Sequence, residues 1–237
     1  MIRQENFTVD SLTELLRGKT EVESLQTLAE LFPGEVSFSS SLGFEDQVIT
    51  DHILANHLPI RIFTLDTGRL FEETYKTLQR TNNRYETKIE VVFPKNPSVE
   101  NLLNQKGPYS FYDSVENRKE CCFIRKVEPL NRALQGVKIW VTGIRAEQSG
   151  NRQDMPQVEW DEAHQLFKFH PLLHWTFEDV KAYVSSRNVP YNPLHDKGFV
   201  SIGCAPCTRA IMEGEDFRAG RWWWEDESKK ECGLHAR

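Results

Sequence analysis

The sequence lacks both a long apolar run and a basic surplus. No window approaches the roughly 20 apolar residues of a membrane span, and the first residues carry no apolar stretch of signal-peptide length. We therefore expect a cytosolic protein that is not inserted in a membrane. The formal net charge of −6 disfavours a general nucleic-acid binder, because such proteins usually need a basic surplus to displace phosphate counterions.

Cysteine is also scarce, with five residues in the chain. Thiols stay reduced in the cytosol, so cysteines in a pattern are more often metal ligands or reactive groups than disulfides. The chain has neither an internal repeat nor a low-complexity segment. The five cysteines are therefore the first candidates for chemistry.

Short apolar runs alternate with segments of helical spacing from residue 36 onward. The predicted strands cover residues 36–38, 60–66, 91–93 and 139–143. The predicted helices cover about 9–16, 22–31 and 177–187. This alternation indicates an α/β fold with a parallel sheet flanked by helices. After residue 150 the periodicity weakens, and we expect one domain over residues 1–214 with a C-terminal tail at 215–237.

Two loops after predicted strands suit an anionic ligand. In SFSSSLGFEDQ, residues 37–47, small residues precede a helix, so backbone N–H groups, hydroxyls and the positive helix end can approach an anion. LDTGR, residues 65–69, ends the second strand, and ligands of open parallel sheets bind beyond such carboxyl ends. Together the loops predict a nucleotide site. The alternatives are a polar loop with Asp46 as helix N-cap, and a tight turn with Gly68 at positive φ.

Four cysteines form two pairs. Cys121 and Cys122 are adjacent, while Cys204 and Cys207 have the two-residue gap of a metal-binding loop. Four thiolates suit zinc or an iron–sulfur cluster. Zinc ligands are usually spaced by two to four residues, whereas a cubane cluster offers a separate iron to each sulfur, so the adjacent pair favours the cluster. Zinc and unrelated buried thiols remain the alternatives.

Basic residues accompany these motifs. Lys126 lies one helical turn from Cys122, and arginines follow the last predicted strand and precede the C-terminus. These arginines are Arg145, Arg152, Arg218 and Arg221. An arginine fork donates two parallel hydrogen bonds to phosphate or sulfate, so the set suits a doubly charged anhydride. For each arginine, the alternative is a solvated surface position. The tryptophan triplet WWW, at residues 222–224, is expected to anchor the tail.

Five motifs in order resemble the assimilatory adenosine 5′-phosphosulfate (APS) reductases of the sulfonucleotide reductase family. They are LDTGR, CC followed by RKVEPL, IGCAPCTR, RWWWE and KKECGLH, within a resemblance from about residue 35 to the end. It implies an adenine-nucleotide hydrolase-like fold, a 4Fe-4S cluster, and reduction of APS to sulfite and AMP with thioredoxin as electron donor, in sulfate assimilation and cysteine biosynthesis.

The resemblance also implies residue roles. Cys232 in ECGLH matches the catalytic nucleophile, and Cys121, Cys122, Cys204 and Cys207 match the cluster ligands. The substrate-binding positions that it implies are Ser37, Ser39, Ser40, Ser41, Gly43, Leu65, Thr67, Gly68, Arg69, Lys126, Gly143, Arg145, Arg152, Arg218, Arg221 and His235.

The expected mechanism uses the Cys232 thiolate, which Lys229, Lys230 and His235 favour over the thiol. It attacks the sulfur of the sulfuryl group, displaces AMP and leaves a cysteine S-sulfonate for thioredoxin to reduce. The tail is expected to close over the nucleotide and then swing out to the donor. The cluster and Lys126 are expected to polarise the sulfate rather than supply electrons.

One departure from the family concerns substrate choice. The loop SSSLGFED is longer than the SGAED-like loop of many APS-specific members, and it leans toward the SSS-x-G form of enzymes that use 3′-phosphoadenosine 5′-phosphosulfate (PAPS). Cluster-free PAPS reductases lack both cysteine pairs, so APS is the main prediction and use of both nucleotides stays open. So does a homo-oligomeric state.

Two other classes of function are alternatives. A tRNA-thiolating enzyme with a cluster would need an SGGxDS-type loop and a basic RNA-binding face, and the sequence has neither. A zinc-binding interaction module is the third class, and its colourless metal would separate it from a brown cluster protein.

Overall fold

The computed structural model describes residues 7–148 and 154–225. Its helices are α1 Val9–Leu16, α2 Glu21–Leu31, α3 Phe44–Ala55, α4 Glu72–Arg84, α5 Asn96–Lys106, α6 Val115–Cys122, α7 Glu128–Ala133 and α8 Phe177–Ser186. Its strands are β1 Val36–Ser40, β2 Arg61–Leu65, β3 Glu90–Val92, β4 Ile139–Val141, β5 Val158–Asp161 and β6 Leu166–Phe169. Strands and helices alternate as the sequence predicts, which confirms the α/β class.

Contacts divide the chain into two compact units. The first contains Met1–Ser40, Phe44–Ile62 and Gly136–Val189, and the second contains Ser41–Gly43, Phe63–Gln135 and Pro190–Arg237. The expected boundary between residues 214 and 215 stays a prediction. Within the described ranges, no helix combines the length and the apolarity that a bilayer crossing requires.

The two N-terminal helices begin where capping predicts. The Thr8 and Thr20 hydroxyls accept hydrogen bonds from the backbone N–H groups of Ser11 and Glu23, and each partner side chain accepts from the capping residue in return. Such reciprocal capping boxes satisfy N–H groups that the first turn leaves unpaired. Helices α1 and α2 therefore confirm the predictions at about 9–16 and 22–31, to within one residue.

The first unit holds the strands β1, β4, β6 and β5 in that spatial order. Strands β1 and β4 are parallel with Val36 opposite Ile139, and β4 and β6 are parallel with Ile139 opposite Phe167. Phe38, Val141 and Phe169 are fully buried in this sheet. Because strands of parallel sheets are covered on both faces, their apolar runs are continuous, and this made β4 predictable; in β1 the apolar residues are Val36 and Phe38.

The β5–β6 hairpin was not predicted from the sequence. Strand β5 is antiparallel to β6, with Val158 opposite Phe169, so one edge of the sheet departs from the expected parallel arrangement. The Asp161 carboxylate accepts hydrogen bonds from the backbone N–H groups of Ala163 and His164 and closes the turn. Each strand has only four residues, too few for a periodicity signal of its own.

The second unit contains a parallel pair formed by the last three residues of β2 with β3, in which Leu65 lies opposite Val92. Helix α6 ends at Cys122 and continues through a π-helical turn, Phe123–Val127, into α7. A π-helical turn of this kind is often found at functional sites. Here it immediately follows the adjacent cysteines.

Candidate active site

All four paired cysteines line one cavity in the second unit. Cys121 and Cys122 come from the end of α6, and Cys204 and Cys207 flank the short 3₁₀ turn Ala205–Cys207. The four are free thiols. Among the described residues, no three or more His, Cys, Asp or Glu side chains are already close enough together to hold a single metal ion. The fold thus brings the two sequence pairs together around one space.

Cations surround this cysteine cavity. Its other lining residues include Arg69, Arg118, Arg125 and Lys126, together with the ring of Phe111. Burial raises the pKa of the Cys121 thiol, and the neighbouring Arg125 and Arg69 oppose that rise. Four basic side chains around four sulfurs suit a centre whose ligands are thiolates, because the cations offset the negative charge of the sulfurs.

Cys207 is the most enclosed of the four. Burial raises the pKa of its thiol to about 12, the charges of Cys204 and Cys122 add to the rise, and Arg221 opposes it. Cys207 packs with Phe111 and the Trp222 ring in a small apolar cluster. These two rings therefore shield the Cys207 sulfur from water on one side.

Sequence reasoning missed two of these cations, Arg118 and Arg125. A helical signal was present, because Arg118 precedes Cys122 by four residues and Arg125 follows Cys121 by four. Residues four apart on a helix share a face, so each arginine could have been placed beside a cysteine. Lys126 was predicted by the same spacing from Cys122, and it does line the cavity.

The LDTGR loop positions the second cysteine pair. The Cys204 thiol donates a hydrogen bond to the Thr67 hydroxyl at 3.3 Å, and the Ala205 backbone N–H donates to the Arg69 carbonyl at 2.8 Å. The Thr67 carbonyl accepts from Arg125 Nη1 at 2.6 Å. Thr67 is fully buried. Its side chain therefore contacts the cysteine loop, while its predicted role in nucleotide binding stays a prediction.

Gly68 follows at a tight turn, as the alternative interpretation of LDTGR requires. Its φ is +70°, and a Cβ at this position would lie 3.2 Å from the Phe93 ring. Its N–H donates to the Asp66 carboxylate at 2.8 Å, and Asp66 also accepts from the Tyr75 hydroxyl at 2.9 Å. The loop conformation is thus fixed by Gly68 and Asp66, directly after Leu65 ends β2.

Arg221 is a buried cation placed beside the CAPC loop. A Cβ on Gly203 would overlap the Arg221 guanidinium, which lies 4.7 Å from the centre of the Trp222 ring. Among the described residues, Arg221 Nε has no hydrogen-bond partner. Arg218 lies over the same ring at 5.9 Å. A buried guanidinium with an N–H to satisfy suits an incoming anion, since an unpaired buried donor is unfavourable.

The predicted serine loop is only partly a loop. Strand β1 extends two residues beyond its predicted end and includes Ser39 and Ser40. Ser37 and Ser40 are buried, and the Ser39 hydroxyl accepts a hydrogen bond from Trp140 Nε1 at 2.8 Å. These three serines are therefore parts of a strand in the first unit.

The helix after the serines begins at Phe44, directly after Gly43. Asp46 lies inside the first turn of α3, so it is not the N-cap that the alternative interpretation assumed. Ser41 and Gly43 fall in the second unit, and Ser41 is exposed. A carboxylate in the first turn is itself favoured by the positive helix end.

Arg145 in the first unit is already paired. Its Nε donates to Glu45 at 2.8 Å and its Nη1 to Glu147 at 2.6 Å, while the side chain is 1% exposed. The Phe177 backbone N–H and then Arg145 lower the pKa of Glu147. Gly143 lies against the Asp46 carboxylate, which a Cβ would overlap. Two carboxylates thus neutralise an arginine that the sequence assigned to the phosphosulfate, and that assignment stays a prediction.

Three predicted site residues lie outside the described residues. They are Arg152, Cys232 and His235. Their assigned roles as anion ligand, nucleophile and substrate ligand stay predictions.

The fold and the site define the class of this molecule: it is an α/β-sheet protein with four thiols around a cavity that basic side chains line. Its relatives identify the family within that class. The phosphoadenosine phosphosulfate reductase domain matches residues 35–210, and the chain belongs to this family. It is 49% identical over 235 residues to the adenosine 5′-phosphosulfate reductase of Allochromatium vinosum, covering 99% of this chain and 91% of that one. The Burkholderia cepacia protein of the same name is 49% identical, covering 96% and 92% of the two chains.

Solved structures agree on the fold. The phosphoadenylyl-sulfate (PAPS) reductase of Candida auris, in a phosphate complex, has a TM-score of 0.73 at 29% identity, covering 89% of this chain and 99% of that one. The Candida glabrata FMN adenylyltransferase in complex with FAD and pyrophosphate has a TM-score of 0.54 at 17% identity, covering 98% and 81%. The second likeness, at 17% identity, concerns the α/β fold alone.

Proposed function

We propose that this protein reduces APS to sulfite and AMP in sulfate assimilation, with Cys232 as the nucleophile and a 4Fe-4S cluster on the four paired cysteines. The observation that carries the proposal is the cation-rimmed cavity formed by Cys121, Cys122, Cys204 and Cys207. Near-complete relatives with the name APS reductase support the activity. A reducing, cytosolic setting fits the free thiols.

The donor set fits an iron–sulfur cluster. Two segments supply four sulfur ligands around one space, and adjacent Cys121 and Cys122 can each bind a separate iron of a cubane. When bound, the cluster would add a charged inorganic centre whose field combines with that of the surrounding cations. Thr67, hydrogen-bonded to Cys204, would orient one ligand, and such outer contacts tune metal sites. A zinc site remains the alternative.

The arginines would bind the substrate anhydride. Arg221 supports this role because its buried Nε has no partner among the described residues, and Arg218 lies over the same tryptophan ring. Lys126 at the cysteine cavity would direct a further positive charge toward the sulfuryl group. Charge that is fixed before the reaction stabilises developing negative charge without reorganisation.

The chemistry needs one nucleophile and a two-electron donor. The Cys232 thiolate attacks the sulfuryl sulfur, an S–S bond forms, and the S–O bond to the phosphate breaks as AMP leaves. A thiolate of thioredoxin then attacks Cys232 Sγ and releases sulfite. The second thioredoxin thiol resolves the mixed disulfide, so the dithiol supplies both electrons and becomes a disulfide. His235, Lys229 and Lys230 would favour the Cys232 thiolate.

APS is the favoured substrate because both cysteine pairs are present and relatives at 45–50% identity have the name APS reductase. The serine-rich stretch keeps use of PAPS as the second candidate. Anaerobic sulfite release from APS and PAPS, measured side by side with thioredoxin, decides between them. Activity with PAPS alone would contradict the proposal.

The nucleophile is tested with Cys232→Ser. This variant should keep the brown colour and AMP binding and lose sulfite formation, because a hydroxyl has no accessible ionised form near neutral pH. The parent protein, mixed with APS and no reductant, should gain one sulfonate on the peptide that contains Cys232. A matched Cys121→Ser variant should instead lose iron and visible absorbance. A sulfonate on another cysteine would overturn the assignment.

A further inference from the structure

An almost fully buried ion pair in the described part of the second unit links the cysteine-bearing helix to Glu225. Arg118 Nε donates a hydrogen bond to Glu225 Oε1, and Arg118 Nη2 donates one to Glu225 Oε2, both at 2.9 Å. The side chains are 1% and 4% exposed. The Arg118 guanidinium also lies 4.7 Å from the centre of the Trp222 ring. The contact is therefore bidentate, almost dry and packed on an aromatic face.

Each end of this pair adjoins a functional element. On one side, Arg118 lies one helical turn before Cys122 in α6 and lines the cysteine cavity. On the other side, Glu225 precedes Cys232 by seven residues. A chain of that length spans at most roughly 25 Å, so the position of Glu225 limits where the Cys232 thiol can go.

We propose that Arg118 and Glu225 are positioning residues that fix the start of the Cys232-bearing segment beside the cysteine cavity. This inference rests on the proposed role of Cys232. Two parallel charge-assisted hydrogen bonds define an orientation as well as a contact, which a single bond or an apolar contact does not. A buried pair of this kind is weak evidence for stability and is better suited to specifying one arrangement.

The chain offers a matched control pair. Arg209 donates to both oxygens of Glu215 at 2.8 and 2.7 Å, in the same unit and ten residues before Glu225. Neither residue lines the cysteine cavity. Glu225→Gln and Glu215→Gln therefore make the same chemical change in two bidentate pairs, of which only one adjoins the cavity.

The first measurement is independent of activity. Arg221 is buried, so trypsin should cut slowly after it in the parent protein. Glu225→Gln places an amide N–H₂ against a guanidinium N–H, which breaks one bond and opposes two donors. Peptides that begin at Trp222 should therefore appear several-fold faster in the full-length Glu225→Gln variant. Trypsin should cut the Glu215→Gln variant after Arg221 at the parental rate. Equal cutting in both variants would overturn the anchoring role.

The second measurement is kinetic. Glu225→Gln should lower kcat on the order of tenfold to a hundredfold with little change in the KM for APS, because the nucleophile is misplaced while the nucleotide site is kept. Glu225→Asp, which keeps the charge, should recover part of the loss. Glu215→Gln should keep the parental kcat. A KM effect alone, or no recovery with Asp, would contradict a positioning role.

The two proposals fail in different ways. If Cys232 is not the nucleophile, the sulfonate forms on another residue in the parent protein, whereas the tryptic difference between the two Gln variants persists. If the anchor has no positioning role, the parent still forms the Cys232 sulfonate, and Glu225→Gln forms it at the parental rate. Thermal unfolding of both variants identifies a global loss of fold, and Glu225→Asp then provides the test.

Discussion

Replacement of Arg145 separates a structural arginine from a substrate ligand. The sequence resemblance assigns this residue to the phosphosulfate, but the structure pairs it with Glu45 and Glu147. Arg145→Met keeps much of the apolar bulk and removes the charge. If the carboxylate pairing is its main role, the variant should lose stability, whereas removal of a substrate ligand would lower the affinity for APS and leave the stability near that of the parent.

The expected magnitude follows from the burial of the three partners. Arg145 is 1% exposed, Glu45 is 13% exposed and Glu147 is 56% exposed. Removing the cation leaves Glu45 partly buried without its charge partner, whereas Glu147 remains hydrated. Breaking a buried pair typically costs about 3–5 kcal/mol, so we expect a loss of about 3 kcal/mol, mostly from Glu45. Glu147→Gln alone should cost about 0.5 kcal/mol.

The assay is urea unfolding of the parent, of Arg145→Met, of Glu147→Gln and of the double variant Arg145→Met/Glu45→Gln. The affinity of each protein for APS is measured by calorimetric titration. The double variant should regain about 1–2 kcal/mol relative to Arg145→Met, because the partly buried charge at position 45 is removed and only the hydrated Glu147 is left without its arginine. The reasoning is refuted if Arg145→Met unfolds within about 0.5 kcal/mol of the parent and has lost APS binding. That result would make Arg145 a free substrate ligand.

Three smaller predictions concern single contacts. Gly143→Ala should destabilise the protein by about 1–3 kcal/mol in urea unfolding, because its Cβ would overlap the Asp46 carboxylate; parental stability would refute that contact. Burial raises the pKa of Asp161, but hydrogen bonds led by Lys168 outweigh it and lower the pKa below 3.8. The stability from this pairing should be present above about pH 4 and fall at lower pH, and Asp161→Asn should remove that part of the acid-side decline, measured by unfolding at several pH values. Thr67→Val should cost about 1 kcal/mol in urea unfolding by removing the hydroxyl that is hydrogen-bonded to the Cys204 sulfur, while Thr67→Ser should not.

The sequence predicted most of the first-unit fold because its signals are local. Helices α1 and α2 carry capping boxes, β4 is an apolar strand, and β1 begins with the buried Val36 and Phe38. The β5–β6 hairpin lacked such a signal, since four-residue strands are too short for a measurable period. Its position is determined by pairing of β6 with β4, a long-range contact.

For the candidate site, the sequence identified the residue types that take part but not the contacts that each side chain makes. The spacing of Cys121, Cys122, Cys204 and Cys207 was enough to predict a four-thiol centre, and the fold brings all four to one cavity. The sequence also contained the positions of Arg145 and Thr67. It did not show that carboxylates neutralise Arg145, or that the Thr67 hydroxyl is hydrogen-bonded to the Cys204 sulfur.

The sequence by itself therefore determined the α/β class, the family and the two cysteine pairs, because helix caps, apolar runs and short motifs depend on neighbours along the chain. Only the tertiary structure decided how the charges are paired. Arg118 and Glu225 are 107 residues apart in sequence, yet they form an almost dry bidentate contact. Pairing at that distance is set by how the helices and loops pack, since a salt bridge becomes specific only where burial excludes water and fixes both partners.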